Sequence, residues 1–308
     1  MSTILYSHPV CQEHTNFPDH PEQPDRLRYI MSVLDGPSYF MLDRREAPIG
    51  DVEDIKRVHD ADYVDRILAS APKTGNTLLG PDTGMSPASG EAALRAVGAA
   101  CAAVDAVLEG GARNAFCSVR PPGHHAEPAE AMGFCLFNNI AIGAQRARQV
   151  HGCKKVAAID FDVHHGNGTQ AVFESDPSLF FGSSHQMPAF PGTGHETETG
   201  VGNIVNVPLA PGSGSEEFRR AYSDKILPAL RAFEPDFIMI SAGFDADARD
   251  PLAQLRVKTP DFAWVTAEIL KVADEFCSGK AVSTLEGGYD LDALAAGVAV
   301  HMRELMGI

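Results

Sequence analysis

The sequence predicts an α/β protein with three layers, a mostly parallel central sheet carrying helices on both faces. Three observations predict it. Short continuous apolar runs of strand length recur along the 308 residues. Amphipathic helical stretches alternate with them. Polar residues able to carry chemistry cluster just after several of the runs. Continuous apolar runs mark strands covered on both faces. Alternation with helices marks the crossovers that parallel pairing requires.

The strand candidates, in order, are Thr3–Ser7, Ala115–Val119, Val156–Asp160, Leu179–Ser183, Ile204–Val207, Phe237–Ala242 and Ala281–Leu285. Between them, Ala93, Val97, Ala100, Val104 and Val107 recur at helical steps, which predicts a helix over Pro87–Glu109. Ser86 is its expected N-cap, and Gly110-Gly111 its end. Further helices are expected at Asn138–Val150, Ser215–Phe233, Thr259–Cys277 and Leu291–Met306. Without an internal repeat or a low-complexity linker, residues 1–308 are read as one domain.

Composition narrows the function classes. Hydrophobic residues make up 44% and charged residues 21%, the balance of an ordinary globular protein. No apolar run reaches membrane-span length, and the first ten residues carry no secretion signal, so cytoplasmic residence is expected. None of the six cysteines forms a C-x-x-C pair, which points to reduced, buried thiols and away from a cysteine zinc site. A formal net charge of −16 disfavours nucleic-acid binding. It is read as a solubility feature ahead of any steering of cationic substrates.

In open parallel sheets the chemistry sits beyond the carboxyl ends of the strands, and here polar residues follow four of them. They are Arg120-Pro121-Pro122-Gly123-His124-His125, the run from Asp160-Phe161-Asp162 through His164-His165-Gly166-Asn167-Gly168, Gly243-Phe244-Asp245-Ala246-Asp247, and Glu286-Gly287-Gly288-Tyr289. Asp162 and His164, two apart at a strand end, are expected to point to one side. Asp245 supplies a third donor, and three O/N donors with a free position describe a catalytic zinc site. His124-His125 follows a rigid Pro-Pro-Gly turn and titrates in the range that acid–base work needs. Asp160 and Asn167 are available to fix their tautomers, and Tyr289 is positioned to donate to an oxyanion. Gly123, Gly166 and Gly168 are read as sites of positive φ or of close backbone approach, or as plain turn residues.

R-P-P-G-H-H-A, D-F-D-V-H-H-G-N-G, S-A-G-F-D and E-G-G-Y occur in this order. Together they resemble the zinc-dependent histone deacetylase and acetylpolyamine amidohydrolase family, within the arginase–deacetylase fold. Class II-type deacetylases and their bacterial relatives are the nearest in pattern, and the resemblance runs from His20-Pro21-Glu22 to Tyr289. It implies metal ligands at Asp162, His164 and Asp245, and a tandem pair in which His125 moves the protons and His124 acts as electrostatic partner. It also implies orienters at Asp160 and Asn167 and a carbonyl-polarising phenol at Tyr289. Tunnel walls fall on Phe134, beside Gly133, and on Phe190. Arg26 matches an arginine of the interior acetate channel. Asp82 is the loosest match, to a rim aspartate that holds a substrate backbone. Zinc is the implied cofactor, with iron(II) as its competitor. A potassium ion is implied beside Asp160, Asp162, His164 and Ser183.

Departures from the family pattern sharpen the reading. Arginases of the same fold hold two manganese ions, but Gly166 stands where their first motif needs a further carboxylate. Asp247 completes a D-x-D and is expected to face solvent or a salt bridge. Leu252 stands where polyamine-selective relatives place a glutamate, which favours acylated lysine or a small acylated amine over a polyamine. The readings in competition are an acyl-lysine deacetylase, an acetylpolyamine amidohydrolase, a two-manganese ureohydrolase and a non-catalytic binding protein.

Overall fold

The computed structural model describes residues 2–308. Ten strands form: β1 (Thr3–Ser7), β2 (Asp43–Glu46), β3 (Thr77–Leu78), β4 (Gly84–Met85), β5 (Asn114–Cys117), β6 (Val156–Asp160), β7 (Leu179–Gln186), β8 (Ile204–Leu209), β9 (Phe237–Ala242) and β10 (Ala281–Leu285). Eight of them build one sheet in the order β2-β1-β5-β10-β9-β6-β7-β8. Every pairing in it is parallel. β3 and β4 make a small antiparallel hairpin apart from it.

Among the described residues ten α-helices accompany the strands: α1 (Asp25–Leu34), α2 (Val52–Ile55), α3 (Ala61–Ala69), α4 (Ser89–Leu108), α5 (Asn139–Gln149), α6 (Asn167–Phe173), α7 (Ser215–Ala221), α8 (Leu227–Phe233), α9 (Thr259–Phe276) and α10 (Leu291–Met306). α4 packs on α5 against one face of the sheet, while α1, α10, α9 and α8 form a second packed series. The three-layer architecture is therefore the expected one. β5, β6, β9 and β10 are buried at every residue, which is why they read as continuous apolar runs.

Some expectations need correction. The helix over Ser215–Phe233 is interrupted by a π-helical turn at Tyr222–Ile226. That turn buries the Tyr222 phenol, which accepts from Ser184 Oγ (3.1 Å) and donates to the Asp160 carbonyl (3.0 Å), so the irregularity sits beneath the site. Ser86 does not cap α4. The helix starts after Ala88 without a side-chain cap, and Ser89 Oγ accepts from the Ser86 N–H instead. β2, α1, α3 and α6 were not anticipated. β2 carries four polar residues in a row at the sheet edge, so its register comes from pairing with β1 and not from an apolar pattern.

Candidate active site

The carboxyl ends of β5, β6, β9 and β10 lie side by side in the sheet, so the loops after them meet. Asp160 closes β6, and Asp162 and His164 lie in the turn beyond it. Their meeting therefore comes from the turn and not from strand alternation, which corrects the expected reason. The His164 N–H donates to Asp162 Oδ1 (2.9 Å), and His164 Nδ1 lies 3.2 Å from the same oxygen and 3.1 Å from Asp245 Oδ2. One donor atom from each of the three residues lies within 4.8 Å of the others.

This donor set fits a divalent cation. Each carboxylate is anchored by backbone: Asp162 Oδ2 accepts from Gly287 N (2.8 Å) and Asp245 Oδ1 from Val163 N (2.8 Å). A Cβ on Gly243 or Gly287 would strike these carboxylates, so both glycines keep the cradle open. Burial disfavours a charged His164, yet the Asp162 and Asp245 carboxylates outweigh it and raise its pKa to about 10. Burial and the charge of Asp162 push Asp245 up to about 7. The arrangement calls for positive charge where the three donors meet. Gly166 offers no side-chain donor. Asp247 is buried, with its carboxylate on Arg249 Nε (2.8 Å) and Nη2 (3.0 Å), so the D-x-D pair contributes one ligand and one salt bridge.

The tandem histidines stand next to this cluster, their ring centroids 4.0 Å apart. His124 Nδ1 donates to Asp160 Oδ2 (2.9 Å) and His125 Nδ1 donates to Asn167 Oδ1 (2.8 Å). The Asn167 amide is oriented by its own donation to Glu127 Oε1 (2.7 Å). Both Nε2 atoms are therefore left for the crevice. The two rings are electrostatically unlike. Burial opposes charge on His124, but Asp162 and Asp160 prevail and raise its pKa to about 10. Burial and the neighbouring His124 drive His125 well below the ordinary range, so it stays a neutral base. His125 packs so closely on Gly133 that a Cβ there would overlap the ring, and Gly133 has φ +55°. The three motif glycines act by close approach, with no positive φ among them: a Cβ at Gly123, Gly166 or Gly168 would meet Asn139, Asp160 or Ala126.

A cavity of about 250 Å³ rises from this floor, lined by Asp82, His125, Gly133, Phe134, His164, Phe190, Leu252 and Tyr289. Phe190 stands edge-on to His125 (5.1 Å) and Phe134 edge-on to Tyr289 (5.9 Å). Every residue expected along the tunnel is thus present in one cavity wall. The Asp82 carboxylate accepts from Gly133 N (3.3 Å) and Thr83 Oγ1 (2.8 Å), tying the rim to the Phe134 turn. Ser183 is the register partner of Asp160, so the segment expected to hold potassium is contiguous.

Arg26 is buried beneath Tyr289, its guanidinium carbon 5.0 Å from the ring centroid. It donates to the carbonyls of Gly288 (2.7 Å) and Glu286 (2.5 Å) and to Glu22 Oε1 (3.0 Å). Glu22 also takes Arg120 through both oxygens. Sequence reasoning missed this Glu22–Arg120 pair. An arginine ahead of Pro-Pro and a glutamate in His-Pro-Glu were the visible signals, but nothing in the linear order pairs them. It missed Glu286 as well, whose Oε2 accepts from Gly123 N (2.7 Å) and His124 N (3.1 Å) and holds the tandem-histidine turn.

A family model described as histone deacetylase domain matches residues 20–305. A histone deacetylase-like amidohydrolase of Pseudomonas aeruginosa is 42% identical over 88% of this chain and 72% of its own length. Histone deacetylase 14, chloroplastic, of Arabidopsis thaliana is 38% identical over 99% of this chain and 77% of its own. The crystal structure titled HDA15 HD domain superposes with a TM-score of 0.95 at 36% identity, covering 99% of this chain and 88% of that one.

Proposed function

The chain belongs to the histone deacetylase family of deacetylases and amidohydrolases, and from that premise we propose that residues 1–308 act as one catalytic domain that removes acetyl or other acyl groups from lysine side chains or small primary amines. The observation that carries the proposal is the meeting of an O/N/O donor set with two crevice-facing imidazoles at the floor of an apolar tunnel.

Asp162, His164 through Nδ1, and Asp245 would hold zinc, with iron(II) as the alternative, and the ion would polarise the scissile carbonyl and acidify the attacking water. The chain's own groups do the rest. Phe134 and Phe190 flank the methylene chain of the acyl-lysine and exclude water. His125 Nε2 takes the proton from water as the C–O bond forms. His124, kept charged by Asp162 and Asp160, stabilises the negative charge that develops. The Tyr289 phenol donates to the carbonyl oxygen as it becomes an oxyanion. His125 then passes its proton to the amine nitrogen as the C–N bond breaks. A structural potassium ion would be held by the segment of Asp160, Asp162, His164 and Ser183, where Asp160 and Ser183 are register partners. Six free cysteines suit a reducing compartment, in keeping with a cytoplasmic enzyme.

Leu252 at the cavity wall has no charge to receive a second ammonium group, which favours acyl-lysine over acetylpolyamines. The test measures kcat/KM for an acetyl-lysine peptide and for acetylputrescine, with metal content on the same sample. One zinc or iron per chain and a peptide preference are expected. Tyr289→Phe should lower kcat by about 10²–10³-fold with metal content unchanged. A polyamine preference sinks the reading of Leu252, and two manganese ions with release of urea from a guanidino compound sinks the whole proposal.

A further inference from the structure

Tyr289 sits in a turn with little of its own to hold it. It follows two glycines between β10 and α10, and Gly288 has φ +122°. Besides the Phe244 N–H donated to the Gly287 carbonyl (3.0 Å), side chains of three residues fix that turn. Asp162 takes Gly287 N, Arg26 takes the carbonyls of Glu286 and Gly288, and Asp250 takes the backbone N–H of Tyr289 itself at 2.6 Å. The same Asp250 oxygen accepts from Asp290 N (3.3 Å), and the other accepts from Leu252 N (3.0 Å). One buried carboxylate thus joins two residues that line the tunnel from separate loops.

We propose that Asp250 is a positioning residue for the deacylation reaction: it clamps the Tyr289 turn to the Leu252 rim and so sets where the phenol meets the substrate carbonyl. The proposal rests on the catalytic reading of Tyr289 given above. The anchor end is itself rigid. Asp250 N donates to the Asp247 carbonyl (2.9 Å), and the Asp247 side chain is locked on Arg249. Ala248 N to Val257 O (2.9 Å) and Val257 N to Ala246 O (3.1 Å) close the segment around them. A carboxylate suits the place because three N–H groups converge on two acceptor oxygens. Two of the three lie just ahead of α10, where the helix dipole favours negative charge. Asparagine has one acceptor oxygen and would turn an amide N–H₂ toward donors.

The experiment is a double-mutant cycle on the metal-loaded enzyme with an acetyl-lysine peptide, kcat and KM measured separately. Asp250→Ala is expected to lower kcat on the order of 10- to 100-fold with metal content unchanged, as for a misplacement of a catalytic group by about 1 Å. In a Tyr289→Phe background the same substitution should change kcat less than about twofold, because the group it positions is gone. The isosteric Asp250→Asn, carried through the same cycle, should fall between wild type and Asp250→Ala, and it keeps the comparison usable if the alanine variant does not fold. Equal losses in both backgrounds, or wild-type kcat in Asp250→Ala, overturn the proposal while leaving the proposed function intact. Wild-type turnover in Tyr289→Phe alone overturns the reading of the site, and the clamp with it.

Discussion

His124 in the crevice and His301 in the helical layer are both shut away from solvent, at 2% and 0% exposure. The crevice surrounds His124 with Asp160, Asp162 and Glu286, and their charges outweigh the burial penalty. His301 lies among Phe116, Phe161 and Phe244, with two hydroxyls for partners. Thr266 spends its proton on the Phe262 carbonyl (2.6 Å), so His301 Nδ1 donates to Thr266 Oγ1 (2.7 Å) and Ser283 Oγ donates to Nε2 (2.9 Å). The neutral ring is fully satisfied, and burial lowers its pKa to about 3. The contrast teaches that burial alone says little about a histidine's charge. The neighbours decide, carboxylates making a charged centre and hydroxyls a structural bolt.

Breaking the charged region should cost activity first. Asp245→Asn is expected to abolish metal retention and turnover together; turnover that survives without bound metal would break the ligand assignment. Next in size, His125→Ala should lower kcat by about 10²–10⁴-fold while the metal stays bound. A pH–rate profile and metal content on the same preparation check it, and loss of metal instead would place His125 among the ligands.

Breaking the neutral region should cost stability and spare chemistry. His301→Ala leaves a cavity and strips the Ser283 hydroxyl of its acceptor, a loss of about 2–4 kcal/mol in urea unfolding at pH 7. The kcat of the folded enzyme should be unchanged, and a fall in kcat at full metal occupancy would blur the distinction. The smallest effect is its pH dependence. His301 has a folded pKa near 3 against 6.5 for the unreacted group, so protons favour the unfolded chain. Its contribution is complete above pH 6.5 and declines as the pH falls toward 3. The stability gap between wild type and His301→Ala should therefore shrink by about 2 kcal/mol from pH 7 to pH 5. A gap that stays constant or widens would mean that His301 is not neutral in the core.

Much of the site was legible because its residues follow strands that are themselves easy to read. Val156–Asp160, Phe237–Ala242 and Ala281–Leu285 are apolar runs found at the expected bounds, and the chemistry begins where each stops. β2 was illegible because an edge strand of Asp-Arg-Arg-Glu carries no apolar pattern. The π-turn at Tyr222 escaped because helical periodicity runs straight through it and only the reach of the phenol to the Asp160 carbonyl accounts for it.

By itself the sequence determined which residue types stand at which strand ends, and hence the layered fold, the donor set and the family. Those features are local, written in hydrophobic period and in motifs a few residues long. The tertiary structure alone decided that His164 turns Nδ1 to the carboxylates, that Asp247 is spent on Arg249, and that Arg26 and Asp250 brace the tyrosine turn from 262 and 39 residues away from their partners Gly288 and Tyr289. Such pairings have no trace in the linear order, because a hydrogen bond acts over about 3 Å of space whatever length of chain lies between its ends.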